Sequence, residues 1–93
     1  MKKIRILGVD YDIVEINNPE LHGLMVDKET MICIDCNTKQ KIGSLIHEII
    51  EAIDTRMELR LKHPQISALD AGLTQVFIDN PQLIKEILKA TKR

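Results

Sequence analysis

The sequence predicts a single α+β domain: a small three- or four-stranded, mostly antiparallel sheet followed by three helices. Two observations carry this expectation. Up to residue 36, short aliphatic and β-branched runs alternate with turn residues. After Asn37, apolar residues recur every three or four positions, the spacing of one helix face. With 93 residues there is room for one hydrophobic core and no second domain.

The strands come first. Lys3 to Val9 is rich in Ile and Val, Gly8 to Asp12 reads as a bend, and Asp12 to Ile16 resumes an extended pattern. Asn17, Asn18 and Pro19 form a turn. Gly23 to Val26 and Met31 to Asp35 are short apolar runs, and the charged residues between them fit a hairpin loop. Cys33 and Cys36 form one C-x-x-C at the end of the last strand. A structural zinc site needs a second pair, and redox pairs open a helix, where the dipole lowers the thiol pKa. Strand alternation makes Cys33 a small core residue and sends Cys36 to the other face.

The helices follow at 38–61, 65–79 and 81–91. Asn37 and Gln40 have the spacing of a capping box. Beyond them Ile42, Leu45, Ile46, Ile49, Ile50, Ile53 and Met57 make a wide apolar stripe. Ser44, His47, Glu48, Glu51, Asp54, Thr55 and Glu58 fall on the polar side of that helix. Pro64 suits the first turn of the second helix, whose apolar face is Ile66, Leu69, Leu73, Val76 and Phe77. Gly72, in its middle, costs roughly 1 kcal/mol against Ala and permits close approach of a neighbouring helix. Asn80-Pro81 opens a third, amphipathic helix carrying Leu83, Ile84, Ile87 and Leu88.

Composition removes several functions. The net charge is −1, so no global field recruits nucleic acid or anionic membrane. Tyr11 and Phe77 are the only aromatics, too few for a base-stacking surface. Basic residues gather near the ends (Lys2, Lys3 and Arg5, then Lys85, Lys89, Lys92 and Arg93) and read as solubilising charge. No apolar run has the length of a membrane span, and no signal segment follows the first lysines, so the expected location is cytoplasmic.

The segment that carries chemistry is Leu45 to Ile53. Residues four apart on a helix share a face, about 5–6 Å apart, so His47 and Glu51 can bind one ion from a single turn. Imidazole nitrogen and carboxylate oxygen are both zinc ligands. Glu48 lies one position round the helix, where a carboxylate can take a proton from a water that attacks a carbonyl. This is the logic of H-E-x-x-H with Glu in place of the second His. The plainer reading of the same residues is a solvated polar face. For a third ligand, His63 is the better chemical partner. It sits about 18 Å along the axis from Glu51 if the first helix runs on unbroken, and otherwise reads as a turn histidine. Asp70 borders the apolar face of the second helix and serves equally as ligand or as hydrogen-bonding partner. Asp79 reads as a cap with Asn80, and His22 has no assigned role.

The run MICIDCNTKQKIGSLIHEIIEA, Met31 to Ala52, resembles the strand-to-helix passage of zincin metallopeptidases, most nearly the ImmA/IrrE type. Asp70 to Pro81 is similar to the later helix of that family, and the likeness extends to small phage-type proteins that keep H-E-I-I-E-A. The resemblance implies His47, Glu51 and Asp70 as metal ligands and Glu48 as general base. It implies zinc as the ion, and the two-carboxylate set also suits manganese. It further implies that Met31–Asp35 is an edge strand that pairs with extended peptide. The departures are Glu51 where the family has His and Asp70 where it has Glu. Two functions follow: a metal-dependent peptidase or its inactive descendant, or a small non-enzymatic interaction module of a phage or bacterium on the same scaffold, with a homodimer among its assemblies.

Overall fold

A computed structural model describes residues 2–16, 23–26, 30–35 and 41–91, with residues 23–26 described by their backbone. The α+β architecture is as expected. Four strands, β1 (Lys3–Ile6), β2 (Val9–Ile16), β3 (Gly23–Val26) and β4 (Met31–Asp35), precede three helices, α1 (Lys41–Met57), α2 (His63–Asp79) and α3 (Pro81–Thr91). The expected capping box at Asn37 and Gln40, Cys36, His22 and the loop at 27–29 lie outside the described residues.

β1 and β2 form a tight antiparallel hairpin with Ile6 opposite Val9. The two residues between them, Leu7 and Gly8, both have positive φ, 49° and 81°. That is the signature of a type I′ turn, whose twist matches the flanking strands. The expected bend at Gly8 to Asp12 is thus confined to Leu7 and Gly8, and β2 runs unbroken from Val9. A leucine in the left-handed region carries a steric cost, because its Cβ crowds the following carbonyl. Leu7 is also 58 % exposed, so it contributes little burial in return. Leu7→Asn is expected to raise stability by about 1 kcal/mol, read as an increase in the urea midpoint at unchanged m-value.

The strand order is β1-β2-β4-β3. β4 pairs parallel with β2 and antiparallel with β3. The sheet is therefore mixed, with antiparallel pairings on both flanks of one parallel pair. This order corrects the placement of Met31–Asp35 at an edge. β3 lies beyond β4, so β4 is interior and its backbone groups are engaged on both sides. Interior position also explains why Ile32, Cys33, Ile34 and Asp35 are buried consecutively rather than alternately.

One face of the sheet carries the core. Ile6 from β1, Tyr11 from β2, and Ile32 and Ile34 from β4 meet Ala52 of α1. Leu45, Ile49 and Ile53 of α1 pack around them, each one turn from the next along the helix. Tyr11 is fully buried, and its hydroxyl accepts a hydrogen bond of 3.1 Å from Nε of Arg56. This bond ties the last turn of α1 to the centre of the sheet. The ends of the expected stripe do not join the core: Ile42 is 66 % and Met57 57 % exposed.

α1 ends at Met57 rather than 61 because Glu58 turns into the left-handed region at φ 51° and Arg60 does so again at φ 59°. Asp54 holds this reversal. Its carbonyl accepts from the Leu59 amide at 3.1 Å, and its carboxylate accepts from the Leu61 amide at 2.9 Å. Five non-helical residues, 58–62, can span roughly 17 Å. They carry the chain back beside α1 before α2 begins at His63. Gln65 closes that start by accepting the Lys62 amide at 2.8 Å. α2 then covers the polar side of α1, so α1 is packed on two sides. Asn80 ends α2, its side chain donating to the Val76 carbonyl at 2.9 Å, and Pro81 opens α3. Asp79 does not cap. It accepts from Gln75 at 3.0 Å, one turn back on its own helix.

Candidate metal centre

The site lies between α1 and the first two turns of α2. His47 stands at its middle, with its two ring nitrogens differently engaged. Nε2 is 3.5 Å from Oε1 of Glu51, and Nδ1 is 3.4 Å from Oδ2 of Asp70. The first contact is the i, i+4 neighbour predicted for α1. The second crosses to α2 and depends on the fold-back at 58–62. Asp70 is held in turn by Thr74, whose hydroxyl lies 3.4 Å from Oδ1. Gly43, one turn before His47, faces the same carboxylate: a Cβ added to it would meet Oδ1 of Asp70 at 3.9 Å, an ordinary van der Waals contact.

The fold-back also delivers His63. Its ring centroid is 5.3 Å from that of His47, with the planes tilted by 59°. One ligand atom from each of His47, Glu51 and His63 lies within 4.8 Å of the other two. Ligand bonds of 2.0–2.1 Å in a tetrahedral zinc site place donors about 3.3 Å apart. The three donors lie within 4.8 Å of one another, so a bound ion would have to draw them closer together. The donor set of two imidazoles and one carboxylate fits a divalent ion. No ion is present in the structure, and none of the four polar residues here pairs with Lys or Arg among the described residues.

The sequence expectation made Asp70 the third ligand and left His63 as the alternative. The structure places His63 with His47 and Glu51, and places Asp70 on the opposite nitrogen of His47. A carboxylate 3.4 Å from Nδ1 is placed to hold a proton on that nitrogen, which would leave Nε2 as the electron-pair donor toward an ion. His63 was hard to see in sequence because the distance argument assumed an unbroken helix. The signal that points the other way is Pro64, which disfavours helical backbone at the residue before it; Glu58 and Arg60, whose positive φ makes the reversal, are helix formers and give no sign of it in the sequence.

Glu48 was expected on a polar, accessible face, and it is 3 % exposed. The second helix supplies the cover. Burial is the largest cause pushing its carboxyl up from 4.5 to about 9. The hydrogen bond to Glu51 and the negative charges of Glu51 and Asp70 add to the push. At neutral pH Glu48 therefore holds its proton and donates it to Glu51, forming a carboxylic acid–carboxylate pair. His63 stays exposed, so the cluster opens to solvent on its α2 side. A separate cavity lined by Ile13, Glu15, Ile34, Lys41, Ile42 and Leu45 lies toward the start of α1 and shares no residue with this cluster.

No family model matches the chain, and no characterised protein or solved structure matches it either. No helix among the described residues is long and apolar enough to cross a membrane. The functional reading therefore rests on the site itself.

Proposed function

We propose that this chain is a small zincin-like, metal-dependent peptidase domain whose centre is His47, Glu51 and His63, with Glu48 as base and Asp70 orienting His47. The observation that carries the reading is the convergence of three ligand atoms from two helices within 4.8 Å, beside a buried carboxyl one residue from His47. The H-E-x-x-E spacing on a helix that follows a buried strand supports the peptidase class, as does the open side at His63.

When bound, a divalent ion supplies a Lewis acid that polarises a carbonyl and acidifies a water. The residues supply the rest. Asp70 fixes the His47 tautomer, and Thr74 fixes Asp70. Glu51 brings the one formal negative charge of the donor set, so zinc is favoured over harder ions more strongly than in a two-carboxylate set. Part of the upward push on Glu48 comes from the charges of Glu51 and Asp70. With those charges compensated, Glu48 loses its proton more readily and can accept one from a water beside it. Because β4 is interior, an extended substrate would pair with the outer strand β3 rather than with Met31–Asp35.

The deciding measurement is a calorimetric titration of the full chain with zinc and with manganese. One ion per chain at micromolar affinity or tighter is expected. At 100 times Kd the ion should stabilise the fold by about 2.7 kcal/mol. Affinity no better than millimolar for either ion would sink the proposal. Hydrolysis of an unstructured peptide, abolished by chelation, separates an active peptidase from an inactive descendant that keeps the metal.

A further inference from the structure

The outer surface of α2 and α3 is apolar and uncovered among the described residues. Leu69 is 46 %, Val76 43 %, Ile84 43 %, Ile87 46 % and Leu88 65 % exposed, and no residue of α3 is buried. An 11-residue helix is marginal by itself, and its stability must come from packing its apolar face. Gly72 sits in the same surface, and a Cβ there would meet nothing within 4 Å. Sequence reading expected it to admit a neighbouring helix, and this chain places none there. Glycine weakens an exposed helix without return unless something approaches it from outside.

We propose that this face binds a second copy of the chain, with the two α2 helices crossing antiparallel at Gly72. The occupant follows from the pattern around that residue. Gln65, Leu69, Gly72, Val76 and Asp79 form a seam at alternating four- and three-residue steps, the spacing of a helix–helix contact line. The seam is close to symmetric about Gly72, with Leu69 and Val76 flanking it and Gln65 and Asp79 at the ends. In a two-fold pair a residue on the axis meets itself, so glycine meets glycine where the backbones are closest.

Charge agrees with this arrangement. α2 contains no Lys or Arg, so nothing on the seam repels its own copy across the centre. Antiparallel crossing brings Asp79, at the C-terminal end of one α2, beside the N-terminal end of the other. There Lys62 and the first helical amides present positive charge. α3 follows directly on α2, and its Ile84, Ile87 and Leu88, 43–65 % exposed, offer further apolar area for such a contact. The metal cluster lies on the opposite, α1-facing side of α2, so assembly and ion binding are independent.

Sedimentation equilibrium of the full chain from low to high micromolar concentration tests this. A reversible dimer is expected. Leu69→Lys should weaken it by roughly 100-fold or more, since it places like charges near the axis. Gly72→Ala is the sharper variant. It should raise the thermal midpoint of the monomer, because alanine favours helix, and at the same time weaken dimerisation by roughly 10-fold or more. A chain that stays monomeric throughout overturns the proposal and assigns the face to a foreign amphipathic helix. A dimer indifferent to both Leu69→Lys and Gly72→Ala overturns it as well.

Discussion

Glu48→Gln is expected to stabilise the metal-free protein at and above neutral pH, while removing any hydrolytic activity. The sign follows from linkage. The folded-state pKa of Glu48 is pushed up to about 9 from 4.5, mainly by burial. Between those values the folded chain keeps a proton that the unfolded chain releases. Stability from this group is fully present below pH 4.5 and declines as pH rises toward 9, at up to about 1.4 kcal/mol per pH unit. Glutamine keeps a donor toward Glu51 and cannot ionise in either state, so it removes this slope. The gain should be on the order of 5 kcal/mol at pH 8 as an upper bound, and close to nothing at pH 4. Urea unfolding of both proteins at several pH values, with chelator present, measures it. Parallel curves across that range would show that Glu48 ionises freely in the folded state, and the buried acid–carboxylate pair would have to be abandoned.

The same residue shows where sequence reading succeeds and where it stops. The alternation of short strands and the helical spacing after Asn37 were enough for the α+β order, because both depend on local backbone geometry and on one buried face. The stripe through Leu45, Ile49 and Ile53 correctly names the side of α1 that meets the sheet. Periodicity, however, assigns one buried face per helix. Glu48 lies on the other face, and only the return of α2 makes it a buried position. The apolar face assigned to α2 fails for a related reason. Ile66 is buried and Phe77 half-buried, whereas Leu69, Leu73 and Val76 are 40–46 % exposed, and the polar residues His63 and Asp70 are the ones that reach His47 on α1. The edge placement of β4 failed because strand order is a non-local choice. The uninterrupted apolar run Met31 to Ile34, without alternation, was the available sign of an interior strand.

His63→Ala and Asp70→Asn should separate ligand from orienting residue, a distinction that the sequence alone left open. Loss of His63 removes one of three donors, so zinc affinity should fall by roughly 100-fold or more and stoichiometric binding should disappear at micromolar protein. Its side chain is exposed, so the fold should lose less than about 0.5 kcal/mol. Asp70→Asn keeps the shape but removes the charge facing Nδ1 of His47, 3.4 Å away. Removing such an outer partner costs about 10- to 100-fold in affinity, with one ion still bound. With no carboxylate facing Nδ1, nothing on α2 orients the His47 ring, so the loss comes from positioning rather than from a missing donor. Spectra of the cobalt-substituted protein give an independent reading. His63→Ala should change the coordination band, and Asp70→Asn should leave its position largely unmoved. The reverse ranking, with Asp70→Asn abolishing stoichiometric binding and His63→Ala sparing it, would make Asp70 the third ligand and His63 a bystander at the start of α2.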